Sequence, residues 1–177
     1  QHDNIQITLR LCQANVKTFN HNQQRQQQNY QPAKYRAWHI QAQQCELHIL
    51  GFQEARPKDT TTTHTDEYYV WTTAANKGNE GCEIWISKNI PYTQQGHLFQ
   101  QKHFHPIHND LTRLIGRLCN NHFDAIITSL HAPHRNNKAD NQQQRNDWWT
   151  HTNNLLHRHQ GMPVIALSLI HISEPTR

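Results

Sequence analysis

The chain has little of what usually announces a function. Charged residues make up 17% and hydrophobic residues 34% of its 177 positions, both below the usual share of a soluble domain. Gln, Asn, Thr and His fill the gap. Such a composition supports only a thin core, yet apolar runs recur too often for a wholly disordered chain. No run approaches the length of a membrane-spanning helix, and no signal-peptide pattern opens the sequence, so no membrane is expected as a partner. The four cysteines, Cys12, Cys45, Cys82 and Cys119, are scattered with no CxxC spacing. Each lies beside an apolar run, and free, buried thiols in a reduced compartment are the expectation. The formal charge is +4 with sixteen His counted as neutral, so acid would raise it further. A basic balance suits a polyanionic partner and says nothing about fold. The chain opens on Gln1 rather than Met, which suggests a cut end.

What is present is a series of short apolar segments. Ile5, Ile7, Leu9 and Leu11 alternate with polar residues, the period of a strand with one buried face, and this segment runs into Ala14-Asn15-Val16. Residues 21–31 form a Gln/Asn-rich tract read as a loop. Pro32 can open a helix on which Tyr35, Trp38, Ala42 and Cys45 recur at helical spacing. Leu47 to Phe52 reads as a deeply buried strand, residues 60–65 as a polar loop, and Tyr68 to Thr73 as an aromatic, β-branched strand. Asn76 to Gly81 carries turn chemistry, and Ile84-Trp85-Ile86 is a further strand. Leu111 to Cys119 and Phe123 to Leu130 predict a strand pair about Asn120-Asn121, followed by a loop to Lys138. A helix begins near Asp140, with Gln143 placed for a capping box and Trp148/Leu155 and Trp149/Leu156 on its apolar face. Pro163 to Leu167 is a last strand. The order predicts an α/β sandwich with helices on the outer faces of the sheets.

The final ten residues, Ser168 to Arg177, resemble a translated sequencing adapter and are set apart from fold reasoning. The expectation is a partial domain over residues 1–167 and an adapter-derived tail over 168–177, the reading frame being lost after Leu167.

Four patches carry the chemistry. They are Cys12 to Val16, Ile49 to Arg56, Gly81 to Lys88, and Ile127 to His134. Each sets polar residues where an apolar strand runs out, and strand ends on one rim of a sheet are where ligand sites collect. Glu54 follows the core positions Leu50 and Phe52, so its carboxylate is partly desolvated and needs a cation or a donor. Magnesium takes a few carboxylates, waters and phosphate oxygens. Asn15 can serve phosphate or a metal-bound water without adding charge. His131 can protonate a leaving oxygen or donate to phosphate. The set suits phosphoryl transfer by positioning and charge neutralisation.

At these residues the chain resembles the endonuclease/exonuclease/phosphatase superfamily, from about Ile5 to Leu167. Asn15 matches the family's first-strand Asn, and Glu54, within Leu50-Gly51-Phe52-Gln53-Glu54, matches the metal-binding Glu of its "LQE" motif. Gly81 to Lys88 resembles the "GVAILVSK" strand, with Glu83 and Trp85 closer to retroelement-like members. His131, within Ser129-Leu130-His131-Ala132-Pro133-His134, resembles the "HSAP" segment of the deoxyribonuclease branch. The Trp148-Trp149 helix looks like the one before the family's "GDFN" strand. Pro163 to Leu167 looks like that strand without its Asp and Asn.

The resemblance implies a four-layer α/β (α+β) sandwich of two mostly antiparallel sheets flanked by helices, incomplete at its C-terminal end. It implies Mg²⁺, or Mn²⁺ in its place, held by Glu54 with Asn15. The reaction would be phosphodiester hydrolysis on DNA, or on RNA, of the retroelement nicking type, with His131 on the leaving group or phosphate. With the later Asp and His absent, this chain itself is expected to be inactive. Two other readings stay open: a phosphatase-type member acting on phosphoinositides or nucleotides, and a non-catalytic fragment that binds nucleic acid weakly.

Plainer readings stand beside each residue. Glu54 reads equally as a surface carboxylate, Asn15 as a turn former, His131 as one His among many, and Glu83 as an exposed strand residue. Arg113 and Arg117 could reach nucleic-acid phosphate or form a solvated basic face. Trp148 and Trp149 read as core. His103-Phe104-His105 and His157-Arg158-His159 invite a transition metal but lack Cys or acidic partners at ligand spacing.

Overall fold

The computed structural model describes residues 8–17, 19, 33–75, 80–90, 99–119, 123–133 and 139–169. Nine strands and two helices run through them in chain order. They are β1 (Leu11–Asn15), α1 (Ala33–Gln44), β2 (Ile49–Gln53), β3 (Thr61–His64), β4 (Tyr68–Thr72) and β5 (Cys82–Ser87). After a 3-10 turn at Gln101–His103 come β6 (Phe104–Asp110), β7 (Arg113–Cys119), β8 (Asp124–His131), α2 (Ala139–His157) and β9 (Val164–Leu169). One sheet has the order β1-β2-β5-β4-β3 and the other β6-β7-β8-β9. Only β1–β2 and β8–β9 pair in parallel; the remaining ladders are antiparallel. Both parallel pairs are joined through a helix, the connection that parallel neighbours require.

Strand periodicity sorts the side chains into layers. Ile49, Trp71, Cys82, Ile84, Ile86, Leu114, Leu118, Ala125, Ile127 and Leu167 point between the sheets and form one cluster. Leu50, Phe52, Tyr68, Val70 and Trp85 point the other way, onto Tyr35 and Ala42 of α1. Ile115, Ile126 and Leu130 face Trp148 of α2, with Trp149, Leu155 and Leu156 partly buried beside them. Helix, sheet, sheet and helix thus stack in four layers, the α/β sandwich the apolar pattern implies.

Several boundaries differ from the sequence reading. Thr8 to Arg10 lie outside any strand, and β1 begins at Leu11, where the parallel register with β2 starts at Leu11↔Ile49. Residues 61–64, expected as loop, form edge strand β3, paired from Thr61↔Thr72 to His64↔Tyr69. No apolar alternation announces it, because an edge strand of threonines is held by backbone pairing rather than burial. β6 is a second unforeseen edge strand. Its Pro106 and the register shift before His108 are features that edges tolerate and central strands do not. β9 continues through Ser168 and Leu169, which pair with Leu130 and His131, two residues past the expected boundary. Of the four free cysteines only Cys82 is buried; Cys45 is exposed. The Gln/Asn tract, Pro32, Asn120-Asn121, His134 and residues 170–177 lie outside the described residues.

His39 of α1 stacks on Trp85 with ring centroids 4.2 Å apart, and burial pushes its pKa down to about 4. The fold therefore favours neutral His39, whereas an unfolded His takes up its proton near 6.5. The sign follows: the contribution is complete above pH 6.5 and is lost as pH falls from 6.5 toward 4. Discounted for the partial exposure of the ring, it should be on the order of 1 to 2 kcal/mol. Urea titrations at pH 7.5 and 4.5 should show the loss in the native chain, and His39→Phe should flatten the difference. An equal pH slope in that variant would exclude His39 as its source.

Candidate active site

β1, β2 and β8 all end at the same rim of the sandwich, and β5 and β7 begin there. Asn15 is the last residue of β1, Glu54 follows β2 directly, and His131 closes β8. Asn15 Nδ2 donates to Glu54 Oε1 at 2.6 Å, and His131 Nε2 lies 3.4 Å from the same oxygen. Three residues of sequence positions 15, 54 and 131 thus meet at one carboxylate oxygen. The side chains are 16% exposed at Glu54 and 9% at His131, so charge interactions here are weakly screened. The other carboxylate oxygen, Oε2, has the Arg56 guanidinium 4.0 Å away. Asn15 Oδ1 also accepts the backbone N–H of Lys17 at 3.0 Å, so Asn15 forms a local turn as well as contacting Glu54.

The rim is locally strained. Among the described residues, five non-glycine residues have positive φ, and four of them, Lys17 (54°), Glu54 (54°), Arg56 (56°) and Glu80 (66°), lie here. Each such residue costs about 1–3 kcal/mol and persists only where its surroundings hold it. The holding bonds are visible. Ala55 and Arg56 donate to the carbonyls of Gly81 and Glu80, Phe19 donates to that of Ala55, and Gly81 donates to Leu111 in the turn between β6 and β7. His131 is fixed in turn by its N–H donating to the Thr112 carbonyl at 2.8 Å.

One carboxylate and one amide at the rim are the kind of donors a hard cation that keeps most of its own water would take. Among the described residues no three His, Cys, Asp or Glu side chains converge as a metal cluster.

Arg113, named as a possible phosphate contact, is engaged within the fold. It is 6% exposed, and its guanidinium donates to Thr152 Oγ1, the Trp148 carbonyl and Asp110 while lying 4.5 Å over the Trp148 ring. It clamps α2 to β7. Burial works against ionisation of Asp110, but bonds from His108, the Thr112 N–H and Arg113 outweigh it and hold the pKa at about 2. Removing the guanidinium by Arg113→Met strands these acceptors, and chemical denaturation should show a loss of about 2 kcal/mol. Unchanged stability would return Arg113 to a ligand role. Arg117 is more exposed, but two bonds at 2.8 and 2.6 Å tie it to Asp124, which is held below its ordinary pKa as a result. Glu83, read as exposed, is 1% exposed. It lies on the α1 face of its sheet, where its Oε2 accepts the Trp85 indole N–H at 2.8 Å, so it stands apart from the Glu54 cluster.

Sequence reading passed over Arg56, two residues beyond Glu54 on the same strained turn. Its only early signal was a cation next to the motif.

No family model matches the chain, and no curated protein does. Among solved structures, it is similar to the endonuclease domain of TRAS1, a telomere-specific non-LTR retrotransposon. The TM-score is 0.45 and the identity 11%, over 73% of this chain and 49% of that one. The chain thus spans about half of that structure's length.

Proposed function

We propose, from the geometry of the rim, that Asn15, Glu54 and His131 form the metal- and phosphate-binding part of a divalent-metal phosphodiesterase of the endonuclease/exonuclease/phosphatase type. The substrate class we assign is DNA, cut by hydrolysis of one strand. One observation carries this reading: the side chains of Asn15 and His131, from separate segments, meet within 3.4 Å of Glu54 Oε1, while Oε2 lies 4.0 Å from the Arg56 guanidinium. A surface carboxylate needs no such arrangement.

Glu54 would hold the ion through Oε2, with Asn15 holding the carboxylate in orientation through Oε1. A bound Mg²⁺ supplies charge neutralisation at the phosphoryl oxygens. The second N–H of the Asn15 amide can donate to a phosphate oxygen without changing the charge of the site. His131, fixed through its backbone, presents its ring to the carboxylate side of the rim, where it can donate to phosphate or to the departing oxygen. Arg113 and Arg117 play no part in this reading; their guanidinium groups are committed to Asp110 and Asp124.

The test has two stages. Mn²⁺ titrated into isotope-labelled protein should broaden the Asn15, Glu54 and His131 resonances first; broadening centred elsewhere would remove the metal assignment. Supercoiled plasmid and an inositol phosphate, each with Mg²⁺ or EDTA, then separate a DNA-directed rim from a phosphatase-like one. Metal-independent retention of plasmid with no effect of Glu54→Gln would favour a simple nucleic-acid binder.

A further inference from the structure

The geometry points to Gln53 and Ser129 as positioning residues. Their side chains form a polar bridge through the core that sets the separation of the two sheets, and with it the distance between Glu54 and His131. This rests on the rim described under the proposed function, but its key measurement does not require metal binding or turnover.

Both residues are fully buried and face inward between the sheets. Gln53 continues the inward positions Ile49 and Gly51 of β2, and Ser129 continues Ala125 and Ile127 of β8. An apolar pair would be the ordinary choice there, because each buried polar group must find a partner. They find one another. Gln53 Nε2 donates to Ser129 Oγ at 2.9 Å and to the Leu167 carbonyl of β9 at 3.2 Å. Ser129 Oγ donates back to the Phe52 carbonyl at 3.0 Å. Gln53 Oε1 accepts the Gln13 amide at 3.2 Å, which extends the bridge to β1. Four strands, β1 and β2 of one sheet and β8 and β9 of the other, are thereby pinned by directional bonds.

The position of the bridge matters. Glu54 is the next residue after Gln53, and His131 lies two beyond Ser129 on the same face of β8. Interdigitated side chains keep the stacked sheets from sliding, and a hydrogen-bonded amide one residue behind the carboxylate adds a bond of defined length and direction. The bridge therefore transmits a fixed sheet spacing directly to the 3.4 Å approach of His131 to Glu54.

The experiment measures that approach. In the native chain, a nuclear Overhauser cross-peak should connect the His131 ring with the Glu54 side-chain methylenes. Ser129→Ala, the milder change, and Gln53→Met, which keeps the shape but removes the amide, should each reduce it by more than half in protein that still melts cooperatively. Ile127→Val removes one methyl from the same strand and leaves the bridge; it should keep the cross-peak at native intensity. The double variant should lose no more than the worse single variant, as expected of mutual partners. Ser129→Ala or Gln53→Met protein with native cross-peak intensity would overturn the inference, as would equal loss in Ile127→Val. If Mn²⁺ fails to broaden the rim while the cross-peak behaves as described, the proposed function falls and the bridge stands.

Discussion

Glu54→Gln should reduce Mn²⁺ affinity at the rim on the order of 100-fold, about 2.8 kcal/mol, with little change in folding stability. The substitution keeps side-chain length and leaves an oxygen to accept the Asn15 amide, which now bonds Oε1 at 2.6 Å. It removes the formal charge, and among the described residues no second carboxylate joins Glu54 in a metal cluster. A hard ion binds an amide oxygen far less well than a carboxylate, so affinity and any Mg²⁺-dependent cleavage should fall together. Calorimetric titration of Mn²⁺ into native and variant protein, with thermal melts of both, decides the matter. Equal affinities would show that the ion, if bound, is held elsewhere. A large drop in melting temperature would instead make Glu54 a structural carboxylate, the plain reading that its sequence position also allowed.

Gly116→Ala should be the most destabilising single-methyl addition in the second sheet. A β-carbon at Gly116 would stand 2.1 Å from Phe104 Cζ and within 2.7 Å of two further ring carbons. The ring cannot withdraw. Phe104 is 2% exposed and packs against Trp71 with centroids 4.5 Å apart. Either β6 is levered from β7 or the ring is driven out of the core, at about 3 kcal/mol or more. For a domain of this size that corresponds to a fall in melting temperature of roughly 6–12 °C. Phe104→Leu should be costly alone but should recover part of the loss when combined with Gly116→Ala, because the smaller side chain vacates the space. Additive losses in the double variant would mean that the clash is not what the substitution meets.

Much of the fold is legible in local pattern. The apolar runs that become β2, β5, β7 and β8, and the helical spacing of Tyr35, Trp38 and Ala42, follow from which residues avoid water. β3 and β6 are not legible, because edge strands of Thr, His and Pro carry no burial signal. The two glycines facing large side chains, Gly51 against Leu167 and Gly116 against Phe104, are equally silent, since only the approach of a distant strand makes a missing β-carbon matter.

The candidate site divides along the same line. Asn15, Glu54 and His131 stand out in sequence because each is polar where an apolar strand ends, and local chemistry suffices to nominate them. Arg113 also stood out, as a cation on a strand, but its burial did not. A charge in sequence is silent about whether a tryptophan, a threonine and an aspartate will enclose it. The sequence alone determined which apolar runs form strands and helices and which polar groups sit at strand ends, since these depend on neighbours a few residues away. Tertiary structure decided which of those groups meet. Only the stacking of two sheets brings residues 15, 54 and 131 to one oxygen, puts Gln53 against Ser129, and turns Arg113 inward, because such distances are set by long-range packing that no local window of sequence contains.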